Sequence, residues 1–131
     1  MKLFIYAGIL FAMLLASCGE DSSTNGPAKT QKEMLTAHPW YFHEVSKGDS
    51  IRTDYKEMAK LTFKNGGMCE ITGIDGVHVS TWLMNEKDSS FTMDGMECPI
   101  VTLTETKLEF IAPIDKSRPY EHYIWKFGHK P

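Results

Sequence analysis

Three cysteines carry the most reactive side chains of this 131-residue chain, and they stand in two different settings. Cys18 follows Leu15, Ala16 and Ser17 at the end of an apolar run from Leu3 to Leu15, with Lys2 ahead of it. A basic start, a short apolar stretch and small residues before a cleavage point describe a secretory signal over residues 1–17. The stretch is well short of the ~20 residues a spanning helix needs. Cys69 and Cys98 remain as the second thiol setting. In an oxidising compartment such a pair invites a disulfide, provided the Cα atoms come within ~7 Å. The strands derived below that carry them are not neighbours, so a Cys69–Cys98 bridge and two free thiols both stay open.

Other side chains give weaker chemistry. None of His38, His43, His78, His122 and His129 stands at metal-ligand spacing from another His, Asp or Cys, and His78 and His122 fall on the polar faces of their segments. Met68 and Cys69 with Met96 and Cys98 offer soft ligands of the kind that hold Cu(I), although methionine more often fills gaps in a core. No nucleophile elbow, phosphate loop or carboxylate pair is present in the sequence, which points to binding and to no catalytic residue, metal or cofactor. The net charge of −3 comes without any basic run, which argues against nucleic acid as a partner because phosphate binding needs clustered Lys and Arg.

The elements that would position these groups follow from pattern. Residues 18–30 include the polar, aperiodic stretch from Gly19 to Lys29, a tether that cannot bury enough surface to offset chain entropy. The domain proper then spans 31–131. Thr30 and Glu33 have capping-box spacing and predict a short helix from Gln31 to Ala37, with Met34 and Leu35 as its apolar face and Pro39 ending it. Beyond Pro39 the apolar period becomes two. Val77, Val79, Thr81 and Leu83 alternate with His78, Ser80, Trp82 and Met84, and Tyr123, Trp125 and Phe127 alternate with His122, Ile124 and Lys126. Turn signals at Asn65-Gly66-Gly67, Asp75-Gly76, Asn85 to Ser89, Asp94-Gly95 and Thr104 to Thr106 separate these runs. Eight strands result: Trp40–Val45, Ala59–Phe63, Met68–Gly73, Val77–Met84, Ser90–Met93, Glu97–Leu103, Lys107–Ile111 and Glu121–Phe127. An all-β, eight-stranded antiparallel up-and-down barrel is the expected fold, since closure removes exposed edges. Ser46 to Ser50 and Pro113 to Tyr120 are expected as rim loops.

Two resemblances sit on these residues. The run ending in Leu15-Ala16-Ser17-Cys18 resembles the lipobox of Gram-negative lipoproteins, which implies cleavage before Cys18, diacylglyceryl and fatty-acyl (palmitate-type) modification there, and attachment to the membrane through that lipid. Glu20 and Asp21 resemble the short acidic signal that sends some lipoproteins to the outer face of the outer membrane, so a periplasmic or cell-surface position follows. The second likeness covers Leu35 to Phe127. The leading helix, Trp40 opening the first strand, Leu61 to Gly67, Trp82 before a polar turn, Ser90 to Met93, and Ile100 to Phe110 together resemble the small lipocalin-like domains of envelope lipoproteins. Lipocalins proper carry a glycine two residues before that Trp, where this chain has His38, and an Arg in the last strand, where Lys126 is the nearest cation.

The likeness implies a non-catalytic binding domain for a small apolar ligand held in the barrel. The residues expected to line or fill the interior are Trp40, Phe42, Phe63, Trp82, Phe91, Phe110, Tyr123, Trp125 and Phe127. Strands this short and rings this large also allow a filled barrel that contacts another envelope protein through its surface. An exposed apolar patch would favour the protein contact, and a continuous apolar void at the mouth would favour the ligand.

Overall fold

The computed structural model describes residues 28–131. The signal segment, Cys18 and most of the tether lie outside the described residues.

The predicted capping box forms. Thr30 Oγ1 accepts the Glu33 N–H at 3.1 Å, and Glu33 Oε2 accepts the Thr30 N–H at 2.8 Å. Helix α1 runs Gln31–Thr36, one residue shorter than expected, with Ala37 as its C-cap. Leu35 is wholly buried, and its carbonyl accepts the Trp40 indole N–H at 3.0 Å. The helix is thereby fastened to the first strand at one end of the barrel.

Nine strands follow: β1 (Trp40–Lys47), β2 (Ser50–Arg52), β3 (Lys60–Phe63), β4 (Met68–Gly73), β5 (Gly76–Asn85), β6 (Ser90–Met93), β7 (Met96–Leu103), β8 (Lys107–Ala112) and β9 (Tyr123–Gly128). From β3 onward each pairs antiparallel with the next, and β1 pairs with both β3 and β9, so eight strands close into a barrel. The ninth, β2, was not expected: a polar rim loop was expected over Ser46 to Ser50, whereas β1 runs on to Lys47 and β2 starts at Ser50. Gly48 adopts φ +58°, a left-handed conformation that glycine tolerates, and β1 folds back at that point into a hairpin pairing Lys47 with Ser50. The other boundaries hold or move by one residue, except that β9 starts two residues late at Tyr123; Ala59 caps a 3-10 turn at Lys56–Met58. Residues 113–122 form the second rim loop.

Two irregularities set which side chains face inward. The register of β1 shifts between Phe42 and Glu44, so Trp40, Phe42 and Val45 all turn toward the core despite their uneven spacing. A similar shift between Ile100 and Thr102 in β7 turns Ile100 and Leu103 inward and leaves Val101 half exposed. Gly73 allows one close approach. A Cβ there would collide with the Glu57 backbone, and its absence lets the 3-10 turn seat against the β4–β5 hairpin, where Ile74 N–H donates to Lys56 O at 3.0 Å.

Candidate functional site

The barrel interior was the first place expected to bind. Of the nine aromatic residues expected there, Trp40, Phe63, Trp82, Phe91, Phe110, Trp125 and Phe127 are buried. Phe42 and Tyr123 are only partly covered and pack against the core from its margin. The rings touch in series. Trp82 meets Phe63 at 5.0 Å between centroids, Phe63 meets Phe91 at 5.3 Å, and Phe91 meets Phe110 at 5.0 Å. Phe110 then stacks on Phe127 at 5.6 Å and on Trp125 at 6.5 Å. Tyr55, which the strand pattern passed over because it lies between elements, ends the series against Trp125 at 5.1 Å. Edge-to-face and offset pairs at such distances each add about 0.5–1.5 kcal/mol beyond the area they bury.

The polar ends of the large rings are satisfied internally. The Trp82 indole N–H donates to Lys64 O at 2.8 Å and that of Trp125 to Ala112 O at 3.1 Å. Burial pushes the Tyr55 hydroxyl above its ordinary range, with Glu57 adding to the effect. The His38 imidazole lies 4.4 Å from the Trp40 ring and so covers the residue that opens β1. Lys126, the nearest cation in the last strand, points outward and pairs with Glu44 at 2.6 Å. Leu35, Val45, Leu61, Leu108 and Ala112 complete the core around the rings.

Cys69 and Cys98 are free and buried, on strands separated by β5 and β6. The bridge left open by the sequence is not made. Burial pushes both thiols up to about 12, which keeps them protonated and poorly nucleophilic. Met68 points outward, away from Cys69, which separates two members of the soft-ligand set. No group of three or more His, Cys, Asp or Glu residues suited to a metal ion occurs among the described residues.

The outer wall of β5 corrects the reading of its alternation. His78 shares its row with Ser80, Trp82 and Met84, which is the inward row; it is exposed because it sits near the strand's free start, not because its row is polar. Val77, Val79 and Leu83 face solvent, with 59%, 57% and 70% of their surface exposed. Met68 stands beside Thr81 on the neighbouring strand, and Ile74 at the hairpin tip is 68% exposed. These residues share the outer face of the β4–β5 hairpin and its tip, interleaved with Glu70, Thr72 and Thr81. The signal for that arrangement was present in the sequence: only one row of β5 can enter a barrel this narrow, and Trp82 claims it.

Depressions adjoin the barrel from outside, among them one of about 280 Å3 beside His43, Gly128 and His129 and two larger ones. One of about 290 Å3 lies between Tyr41, Phe42 and the segment from Thr53 to Lys56, and one of about 460 Å3 lies between α1 and the Leu83–Glu86 end of β5. Both are open to solvent, and neither is lined by Phe63, Phe91, Phe110 or Trp125. The chain matches no protein-family model, no curated protein and no solved structure.

Proposed function

We propose that this protein is a lipid-anchored envelope lipoprotein whose lipocalin-like barrel is a non-catalytic module for contact with another envelope protein. The observation that carries this reading is the division of the barrel's apolar surface: rings in mutual contact occupy the inside, while Met68, Val77, Val79 and Leu83 lie outside in water. Exposed apolar side chains gathered on one wall are what a contact surface presents, whereas singly scattered ones are ordinary. The sequence around Cys18 supports acylation there and attachment at the outer membrane, on its periplasmic or outer face.

Titration of the purified full chain with fatty acids, retinoids and haem-like ligands tests the barrel's role. No saturable change in tryptophan fluorescence is expected, and stoichiometric binding at micromolar affinity would replace this reading with that of a carrier for a small apolar ligand. A photo-crosslinking residue at Leu83 is expected to give a discrete adduct in intact envelopes, and its absence would remove the contact role. Cys18→Ala is expected to abolish palmitate incorporation and detergent-phase partitioning; normal partitioning of that variant would refute the anchor.

A further inference from the structure

The first half of β5 has a neighbouring strand on one side only. Gly76 to Thr81 pair with β4, and β6 pairs with β5 only from Trp82 to Asn85. The direction of the backbone groups follows from two flanking positions. Trp82 N–H donates to Gly67 O at 2.9 Å, on the β4 side. Thr81 lies in the opposite phase: its N–H donates to Asp94 Oδ1 at 3.0 Å, and its carbonyl accepts the Asp94 N–H at 2.9 Å. Val79 and Val77, two and four residues earlier, share the phase of Thr81 and aim their N–H and C=O groups away from β4. Among the described residues nothing meets them. The edge ends at Thr81, where the Asp94 carboxylate also accepts the Ser80 hydroxyl at 2.9 Å and the Lys116 ammonium at 3.3 Å.

What remains open is a short template with two donors and two acceptors placed symmetrically about His78. An unpaired strand edge recruits another strand, and here the fit selects which one. A second β5 laid antiparallel, with His78 opposite His78, sets Val77 against Val79 of the second copy and Val79 against its Val77, satisfying all four groups on each side. The copy's chain turns away toward its own β4 at Gly76, near the point where Asp94 closes the first edge. A longer foreign strand would run into Asp94 and Lys116. We propose that the chain pairs with a second copy of itself through this edge, forming a Val77-to-Val79 ladder across a two-fold axis at His78.

The pairing is isologous, and it sets the exposed valines of the two copies directly across from one another on the outer face. The inference rests on the reading of β5 as a contact element and adds a second copy of the chain at its backbone edge, beside the partner on its outer face. If the chains are lipid-held in one membrane, their effective concentration rises and a ladder of four hydrogen bonds can be populated.

Register-specific crosslinking tests it. Residues at a non-hydrogen-bonded antiparallel position have Cα atoms ~4.5 Å apart, within the ~4.4–6.8 Å that a disulfide spans. In the purified full chain reconstituted into vesicles through its lipidated Cys18, whose acylated sulfur offers no thiol, His78→Cys is expected to give a disulfide-linked dimer under mild oxidation that the unsubstituted chain does not give. Val79→Cys, whose counterpart would be Val77, is expected to crosslink about tenfold more slowly, because its two thiols sit diagonally. Cys69 and Cys98 do not compete, being buried and protonated. Adding Val79→Pro removes an N–H that faces the edge and none that faces β4, and is expected to abolish the His78→Cys dimer while tryptophan emission stays native. Equal rates at positions 78 and 79, or no dimer from a His78→Cys chain with native emission, would overturn the proposal. A Leu83 crosslink to a different polypeptide would then leave the contact reading standing without it.

Discussion

β9 and β5 have the same two-residue alternation and use it in opposite ways. In β9 the rings of Trp125 and Phe127 go inward, Lys126 goes outward to Glu44, and β8 and β1 flank the strand along its length. In β5 the inward row is the more polar one, His78, Ser80, Trp82 and Met84, and the valines are left in water. The difference teaches that the side a row takes is not set by its summed hydrophobicity. One indole buries roughly 150–250 Å2 and needs the interior more than two valines do. The second difference is pairing: β9 has no free edge, and β5 keeps one at its start.

Three substitutions would break or sharpen that contrast. The largest effect belongs to Trp125→Ala, which removes a ring touching Phe42, Tyr55 and Phe110 together with the indole N–H bonded to the Ala112 carbonyl. A loss of about 3–5 kcal/mol is expected in urea unfolding, a large part of the stability of a small domain. A loss under ~1 kcal/mol would place that ring outside the working core. Next comes Asp94→Asn at the end of the β5 edge, with an expected loss of about 1 kcal/mol from weakened bonds to Thr81 and Ser80. The Thr81 N–H, then the Ser80 hydroxyl, hold the Asp94 carboxyl below its ordinary 3.8, so its folded value is depressed relative to the unfolded one. Its contribution is therefore complete above about pH 5 and lost as pH falls through 3.8 and then through the lower folded value. Urea midpoints for wild type and variant should converge on acidification; parallel curves would assign the loss to shape and not to charge. The smallest effect is that of Val79→Thr, within ~0.5 kcal/mol for the isolated chain. A cost above ~1.5 kcal/mol would mean that something covers the valine row even in a single copy.

Much of this architecture was legible. Alternation and turn residues gave the strand order and count of the barrel, and Thr30 with Glu33 gave the helix start to the residue, because both signals are local. What was not legible depends on neighbours distant in the chain. Phe42 and Val45 share an inward face only because of the β1 irregularity, and no side-chain period announces a shifted register. β2 hides in a polar run, since a three-residue outer hairpin buries nothing. Tyr55 enters the core from between elements. The edge of β5 is defined by the shortness of β6 and by Asp94, residues that its own sequence does not contain.

The fastening of α1 also fixes an orientation. Lys29 pairs with Glu105 in the β7–β8 turn, the Gln31 amide donates to the Ser89 hydroxyl and the Lys32 backbone N–H donates to the Glu86 carboxylate, so the chain joins the barrel at the end where those turns lie. The β4–β5 hairpin tip is at the other end of a ten-residue strand, roughly 30 Å away at ~3.3 Å per residue. Whatever holds the amino terminus therefore holds the barrel by the end opposite the Gly76–Thr81 edge. Two copies paired through that edge would carry their amino termini at the two far ends of one sheet, so a surface holding both would have the sheet lying along it.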